Sequence, residues 1–298
     1  MGNLDMKKQN ERVKGGKVAV VTGSSSGIGY ATALQLARSG YLTFATMRNP
    51  SKGADLVKAA ESEGLPIQVE ELDVTSHDSV SKAITRISTS VGRIDILVNN
   101  AGFATFGSLE DLSIKEIQNQ IDTNLLGTVR VTQQVLPVMR KQGSGIIVNI
   151  SSMLGRLAFP GLPAYIATEF ALEGLSESLS YEVAPFGIKV VLIEPGPVRT
   201  KALDNRVRAQ GSLREDSPYF DILKGLDSSL KSLFERASTA DEVAMAIVEA
   251  ISSNEPKLRY PVGENPAILL EKKRELTDEQ FADYVRNMIA NPAPSHSF

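Results

Sequence analysis

Apolar residues along this chain follow two alternating rhythms. Val18 to Val21 is an unbroken apolar run of strand length. After a glycine-bearing turn come apolar positions at Ile28, Ala31, Leu34 and Leu36, the pattern of a helix buried along one side. The same change of rhythm recurs down the chain. Tyr41–Met47, Pro66–Leu72, Ile94–Val98, Ile146–Ile150 and Ile188–Ile193 read as further strands, and Leu258–Val262 as a seventh. Helical periodicity fills the intervals. Ser51–Glu63 carries Leu56, Val57, Ala59 and Ala60 and is stopped by Gly64. A helix capped by Thr75 or Ser76 runs through Val80, Ile84, Ile87 and Val91. A long helix is marked by Ile114, Ile117, Ile121, Leu125, Val129 and Leu136, and two more span Pro163–Ala184 and Thr239–Ile251. Unbroken alternation of strand and helix predicts an α/β fold, a doubly wound parallel sheet of about seven strands with helices on both faces.

In such a sheet ligands bind outside the C-terminal ends of the strands. Those ends are rich in turn and polar residues here: Thr22-Gly23, Arg48, Asp73, Asn99-Asn100, Ser151-Ser152 and Pro195-Gly196. The pattern divides the chain into a flexible, solvated leader over residues 1–16, a single domain over 17–262, and a C-terminal helical extension over 263–298. Within the domain, Thr200–Glu235 is charged, carries two glycines and shows weak periodicity. It is read as a substrate lid, with a disordered surface insertion as the alternative. Pro266–Ile289 suggests one or two short amphipathic helices, and the final NPAPSHSF a frayed end.

Composition narrows the chemistry. The 298 residues carry a net charge of −3, which leaves no electrostatic footprint for nucleic acid. Cysteine is absent, so disulfides, thiolate metal sites and a cysteine nucleophile are excluded. His77 and His296 are the only histidines, which argues against histidine-rich zinc sites and against a Ser-His-Asp triad. No apolar run is long enough to span a bilayer, and the N-terminus lacks the apolar core of a signal peptide. The expected location is the cytoplasm, with no membrane partner.

Lys17–Arg38 carries the first candidate chemistry. A strand, a glycine loop and a helix N-terminus make a phosphate-binding unit, because backbone N–H groups and the helix dipole both favour an anion there. Gly23 permits the tight turn, Gly27 lets the backbone approach a pyrophosphate, and Gly29 lets the helix pack close to the strand. The spacing is G-x-x-x-G-x-G rather than the G-x-G-x-x-G of the commoner dinucleotide fingerprint.

Five motifs in order then define a resemblance. Thr22-Gly23-Ser24-Ser25-Ser26-Gly27-Ile28-Gly29 resembles the cofactor loop of the short-chain dehydrogenases/reductases. Asn99-Asn100-Ala101-Gly102 resembles that family's strand end, and Asn124 matches its helix asparagine. Ser152 and Tyr165 stand at the family's serine–tyrosine spacing, and Pro195-Gly196-Pro197-Val198-Arg199-Thr200 resembles its PG-x-x-x-T segment. The resemblance spans about Lys17 to Ile251 and implies a Rossmann-like fold and hydride transfer between a nicotinamide and an alcohol or carbonyl carbon. It implies that Tyr165 is the acid/base, that Ser152 orients the substrate oxygen, and that Asn124 holds a water in the proton path. Asp73 and Val74 match the adenine-contacting position. The family's helices corresponding to Ile114–Leu136 and Pro163–Ala184 pair across two-fold axes, which implies a homodimer or homotetramer.

One position departs from the family. Its motif is Tyr-x-x-x-Lys, and this chain reads Tyr165-Ile166-Ala167-Thr168-Glu169. The resembled lysine holds the nicotinamide ribose and lowers the tyrosine pKa. Glu169 can accept from the ribose, but a carboxylate one helical turn away disfavours the phenolate. Turnover is therefore expected to be impaired and to recover in part as pH rises. An engineered replacement of a lysine and a natural loss of activity both fit, and the first is preferred. Cofactor choice rests on Met47-Arg48, where an acid would select NAD; an arginine there, with Ser26, points to NADP(H), leaving NAD(H) as the alternative. The leading function is an NADP(H)-dependent oxidoreductase of a small-molecule alcohol or carbonyl compound. A dinucleotide-binding sensor or scaffold is the rival, and a dehydratase or epimerase a weaker third. The apolar stretch Leu154–Leu162 suggests a hydrophobic or bulky carbonyl compound as substrate.

Overall fold

Strand β1 (Val18–Thr22) is buried along its whole length, as is β2 (Leu42–Met47), the signature of strands covered on both faces. With β3 (Ile67–Glu71), β4 (Ile96–Asn99), β5 (Gly145–Ile150), β6 (Ile188–Pro195) and β7 (Arg259–Val262) they form one seven-stranded sheet in the order β7-β6-β5-β4-β1-β2-β3. Every pairing within it is parallel. The computed structural model describes residues 16–200, 207–213 and 215–290. Most of the expected leader, residues 201–206 of the charged excursion and the expected frayed end at 291–298 lie outside the described residues.

Alternation within each strand sends side chains to two separate cores. Val18 and Val20 face one, closed by Val80, Ile84 and Ile87 of α3 (His77–Val91) and by Val131, Val135 and Met139 of α5 (Gly127–Gln142). Ala19 and Val21 face the other, closed by Leu36 of α1 (Gly27–Arg38) and by Val243, Ile247 and Ile251 of α8 (Ala240–Ser252). Helix α2 (Ala54–Glu63) adds Leu56 over β2 and ends at Gly64, which takes a left-handed φ of 66°. The order in which strands are added to the sheet reverses at β1. β2 and β3 are laid down to one side of β1, and β4 returns to the other. A crevice therefore opens above the ends of β1 and β4.

Two expectations need correction, the unbroken long helix and the weakly periodic excursion. The long helix expected through Ile114–Leu136 is broken. α4 (Ile114–Ile121) passes through a wide turn at Asp122–Leu126 with π-type bonding before α5 begins. An inserted wide turn re-aims the side chains within it, here including Asn124. The excursion after Thr200 is more regular than its periodicity suggested. Val207–Arg208 pairs with Thr105–Phe106, and α7 (Phe220–Glu235) packs against α10 (Asp278–Ala290). Gly225 of α7 lies against α10, where even a Cβ would make only an ordinary contact with the Ile289 carbonyl at 3.5 Å. The C-terminal stretch forms two helices, α9 (Glu264–Glu275) and α10. Among the described residues no helix is long and apolar enough to cross a membrane.

Candidate active site

The glycine loop is built as its residues require. Gly23 and Gly27 take φ of 69° and 58°, the left-handed region that glycine adopts without a Cβ penalty. Asn100 at the end of β4 braces the loop, donating through Nδ2 to the carbonyls of Thr22 at 2.9 Å and Gly23 at 3.2 Å. Thr22 Oγ1 in turn accepts from the N–H groups of Asn100 and Ala101. Gly29 has no room for a side chain: a Cβ there would lie 2.4 Å from Asn100 Nδ2. The helix that follows starts uncapped. Ser26 occupies the capping position of α1, yet its hydroxyl makes no bond to the first-turn N–H groups, and no acid lies in that turn. Unsatisfied donors, a positive helix end and an exposed hydroxyl fit a phosphate. Ser25 completes the rim, and Ile28 turns inward onto the second core.

Distant segments close around this loop. A Cβ at Gly27 would meet Thr200 Cγ2 at 3.2 Å, so the Pro195–Thr200 segment lies directly against the glycine turn. That segment is fixed by Gly196 N–H to the Val262 carbonyl and by pairing of Val198–Arg199 with Ser238–Thr239. Arg48 is exposed just beyond β2. Asp73 holds the turn after β3, its Oδ1 accepting from Thr75 N and Oγ1 at 2.9 and 2.7 Å, and Val74 is buried against Gly127. Gly102 packs on Asn124.

The Ser152 and Tyr165 side of the candidate site is built on α6 (Pro163–Val183) and the turn after β5. Tyr165 is half-buried among Met153, Leu154, Leu157, Phe159, Leu269 and Leu270. Burial, and then Glu169, push its phenol above the ordinary tyrosine range, and the Ser152 hydroxyl beside it acts the other way. Ser152 also accepts from Leu154 N–H at 3.1 Å, which fixes its oxygen at the strand end. Asn124 clamps a neighbouring loop: Oδ1 accepts from Phe103 N–H and Nδ2 donates to the Phe103 carbonyl. Its Nδ2 also lies 3.4 Å from Glu169 Oε1.

Glu169 is 3% exposed, and its Oε2 has no hydrogen-bond partner. Burial pushes its carboxyl up to about 8, helped by Glu173 and opposed by Asn124 and Thr168. At neutral pH it is therefore protonated. The shift runs against an ordinary carboxylate beside Tyr165. The negative charge appears only as pH passes about 8, so raising pH adds repulsion rather than simple recovery. A neutral carboxyl is a donor as well as an acceptor, and its unpartnered oxygen suits a ribose hydroxyl.

A stability effect follows. The carboxyl titrates near 4.5 when unfolded and near 8 in the fold, so between these values the folded chain holds a proton that the unfolded chain has released. The stabilisation is full below the lower value and declines by about 1.4 kcal/mol per pH unit toward the upper one. Glu169→Gln is expected to flatten this slope. Denaturant unfolding at several pH values checks it; an unchanged slope would contradict the assignment.

Several contributors are absent from the motifs. Gln120, fully buried, accepts from Thr105 N–H at 2.9 Å and donates to the Phe103 carbonyl, which holds the loop that Asn124 also clamps. A buried chain runs from Asn99 to Asn149 to Ser176 beneath the strand ends. Glu173, Glu194 and Arg259 cluster behind Ser151. The four-residue spacing of Glu169, Glu173 and Glu177 was the one signal in the sequence that pointed there. Among the described residues no group of three or more His, Asp or Glu side chains is placed to hold a metal.

Comparison with known proteins agrees with this geometry. The short chain dehydrogenase family model matches residues 17–211. The chain is 38% identical over 258 residues to the oxidoreductase YusZ of Bacillus subtilis, covering 85% of this chain and 91% of that protein. It is 40% identical over 254 residues to human retinol dehydrogenase 8, covering 82% of this chain and 80% of that protein. The crystal structure of a short-chain dehydrogenase from Streptomyces avermitilis superposes with a TM-score of 0.79 at 31% identity, covering 93% of this chain and 99% of that one.

Proposed function

This chain belongs to the short-chain dehydrogenase/reductase family, and from that premise we propose that it transfers a hydride between NADP(H) and the alcohol or carbonyl carbon of an apolar small molecule, with Tyr165 as acid/base. The observation that carries the reading is the convergence of Ser152 and Tyr165 at one strand end, beside a glycine loop whose helix begins uncapped. The bound dinucleotide supplies or accepts the hydride. Gly23, Ser25, Ser26, Gly27, Ile28 and Gly29 would cradle its phosphates, with Ala101, Gly102, Pro195, Gly196, Val198 and Thr200 forming the opposite wall. Glu169 and Tyr165 would meet its ribose, and Asp73 and Val74 its adenine.

The residues' own work is protonic and positional. Tyr165 gives a proton to a forming alkoxide or takes one from an alcohol, and Ser152 donates to the same oxygen and orients it. With a neutral, buried carboxyl where the family has its helix lysine, no cationic side chain among the described residues is paired with Tyr165 to stabilise the phenolate, so slow turnover is expected. The surroundings of Tyr165 are apolar, from Met153 and Leu154 through Leu270 and Phe281, which favours a hydrophobic substrate over a sugar or an acid. That human retinol dehydrogenase 8 is a relative supports the same class.

Arg48 and Ser26 support NADP(H) over NAD(H), because no acid stands at the end of β2 to repel a 2′-phosphate. Titration of both reduced cofactors is expected to favour NADPH by about 1–3 kcal/mol, with the preference lost in Arg48→Ala. Equal affinities overturn the assignment. Turnover is read on a panel pairing apolar ketones with polyhydroxy ketones, with Tyr165→Phe as the inactive control.

A further inference from the structure

Tyr165, Glu169, Glu173 and Glu177 stand at successive four-residue intervals on α6, which places them on one stripe of the helix. The reaction uses the first two. Glu173 is 4% exposed and fully engaged: Oε1 accepts from Ser151 Oγ at 2.7 Å, and Oε2 accepts from Arg259 Nε at 2.8 Å. Arg259, at the start of β7, also donates to Glu177 at 2.6 Å. Beside it lies Glu194 on β6, fully buried, 3.5 Å from Arg259 and 3.2 Å from Arg156. The cluster thus ties together the end of β5, the turn that follows it, α6, β6 and β7.

Ser151 is the residue before Ser152. Its backbone N–H donates to the Ile193 carbonyl at 2.9 Å and its hydroxyl to Glu173, so the strand end is held from the sheet and from the helix at once. Gly155 permits this. A Cβ there would lie 2.8 Å from Glu173 Cγ and 2.9 Å from Ser151 Oγ. A buried acid–arginine cluster is weak evidence of stabilisation, since apolar replacement is often as stable. Its position is the informative feature: it bridges the two elements that carry the reacting pair.

We infer that Glu173, held by Arg259, is a positioning residue that sets the distance between Ser152 and Tyr165 through the Ser151 hydroxyl. The inference rests on the reading of Ser152 and Tyr165 as the reacting pair. Ser151→Ala removes only the tie. It is expected to lower kcat by about 10- to 100-fold, with KM and cofactor affinity changed less than about threefold, because misplacement acts on the chemical step. Glu173→Gln should do the same, the double variant should lose no more than either alone, and Gly155→Ala should reproduce the effect.

Hydrogen exchange gives a readout independent of turnover. Peptides covering residues 150–156 should exchange faster in Ser151→Ala and Glu173→Gln, while those covering β1 stay unchanged. Unchanged exchange at 150–156, a uniform rise across the sheet, or fully additive losses in kcat would overturn the proposal. If Tyr165→Phe and Ser152→Ala retain activity, it is the assignment of the reacting pair that has failed, and the exchange result still decides whether Glu173 holds the strand end.

Discussion

Glu169→Lys is expected to raise kcat on an apolar ketone by roughly two to three orders of magnitude at pH 7. In the chain as it stands, burial and then Glu169 raise the Tyr165 phenol, and among the described residues no cation is paired with either side chain. Placing an ammonium one helical turn from Tyr165 would favour the phenolate, and each unit of pKa regained is tenfold in its population. The site is prepared for such a charge. The Glu173 carboxylate that raises Glu169 would stabilise a cation in its place, while Asn124, which presents its donor Nδ2 at 3.4 Å, would turn that group away from an ammonium. The pH profiles should diverge above about pH 8. For the native chain, activity gained by deprotonating Tyr165 is opposed above about pH 8, where Glu169 ionises. In the variant no such opposition exists, and activity rises into the alkaline range. Steady-state assays across pH 6–10 check both, and adding Tyr165→Phe should abolish the gain. A variant that binds NADPH tightly yet turns over nothing on a broad panel would favour a dinucleotide-binding sensor. A native chain that already turns over rapidly would refute the assigned effect of Glu169.

Gly29→Ala is expected to cost about 2–5 kcal/mol in stability and to abolish measurable cofactor binding. The added methyl would sit 2.4 Å from Asn100 Nδ2 and 2.5 Å from the Gly23 carbonyl. Neither can yield freely. Asn100 is committed to the Thr22 and Gly23 carbonyls, and the Gly23 backbone is held in a left-handed turn. Either α1 moves off the strand, or Asn100 swings away and leaves two carbonyls unpaired. Both outcomes disturb the N–H groups at the helix start. Gly40→Ala is the contrast: it has nothing within 4 Å, so its φ of 87° is the only source of strain, and cofactor binding should survive it. Urea unfolding and NADPH titration of both variants separate the two effects. Unimpaired binding in Gly29→Ala would show that this close approach does not shape the phosphate cradle.

Local rules determined much of this protein before any tertiary contact was known. Strand and helix periods set the seven strands, and Ser76, Gly64 and Pro163 mark helix ends because caps and breakers act within a few residues. The glycine loop was legible for the same reason, since a positive φ at Gly23 and Gly27 is a requirement on single residues. Tertiary structure decided what depends on meeting distant groups. Thr200 lies against Gly27 only because β6 and β1 end on the same edge of the sheet. Asn124 is aimed at Phe103 and Glu169 by a wide turn that the apolar spacing of Ile114–Leu136 does not encode. The charge on Glu169 belongs here too. Its sequence neighbours suggest an ordinary carboxylate, but a protonation state is set by the dielectric and partners around the group, and burial makes this one neutral at pH 7. Ser151, Glu173, Glu194 and Arg259 stand far apart in the chain, and packing of α6 against three adjacent strands joins them into one buried cluster.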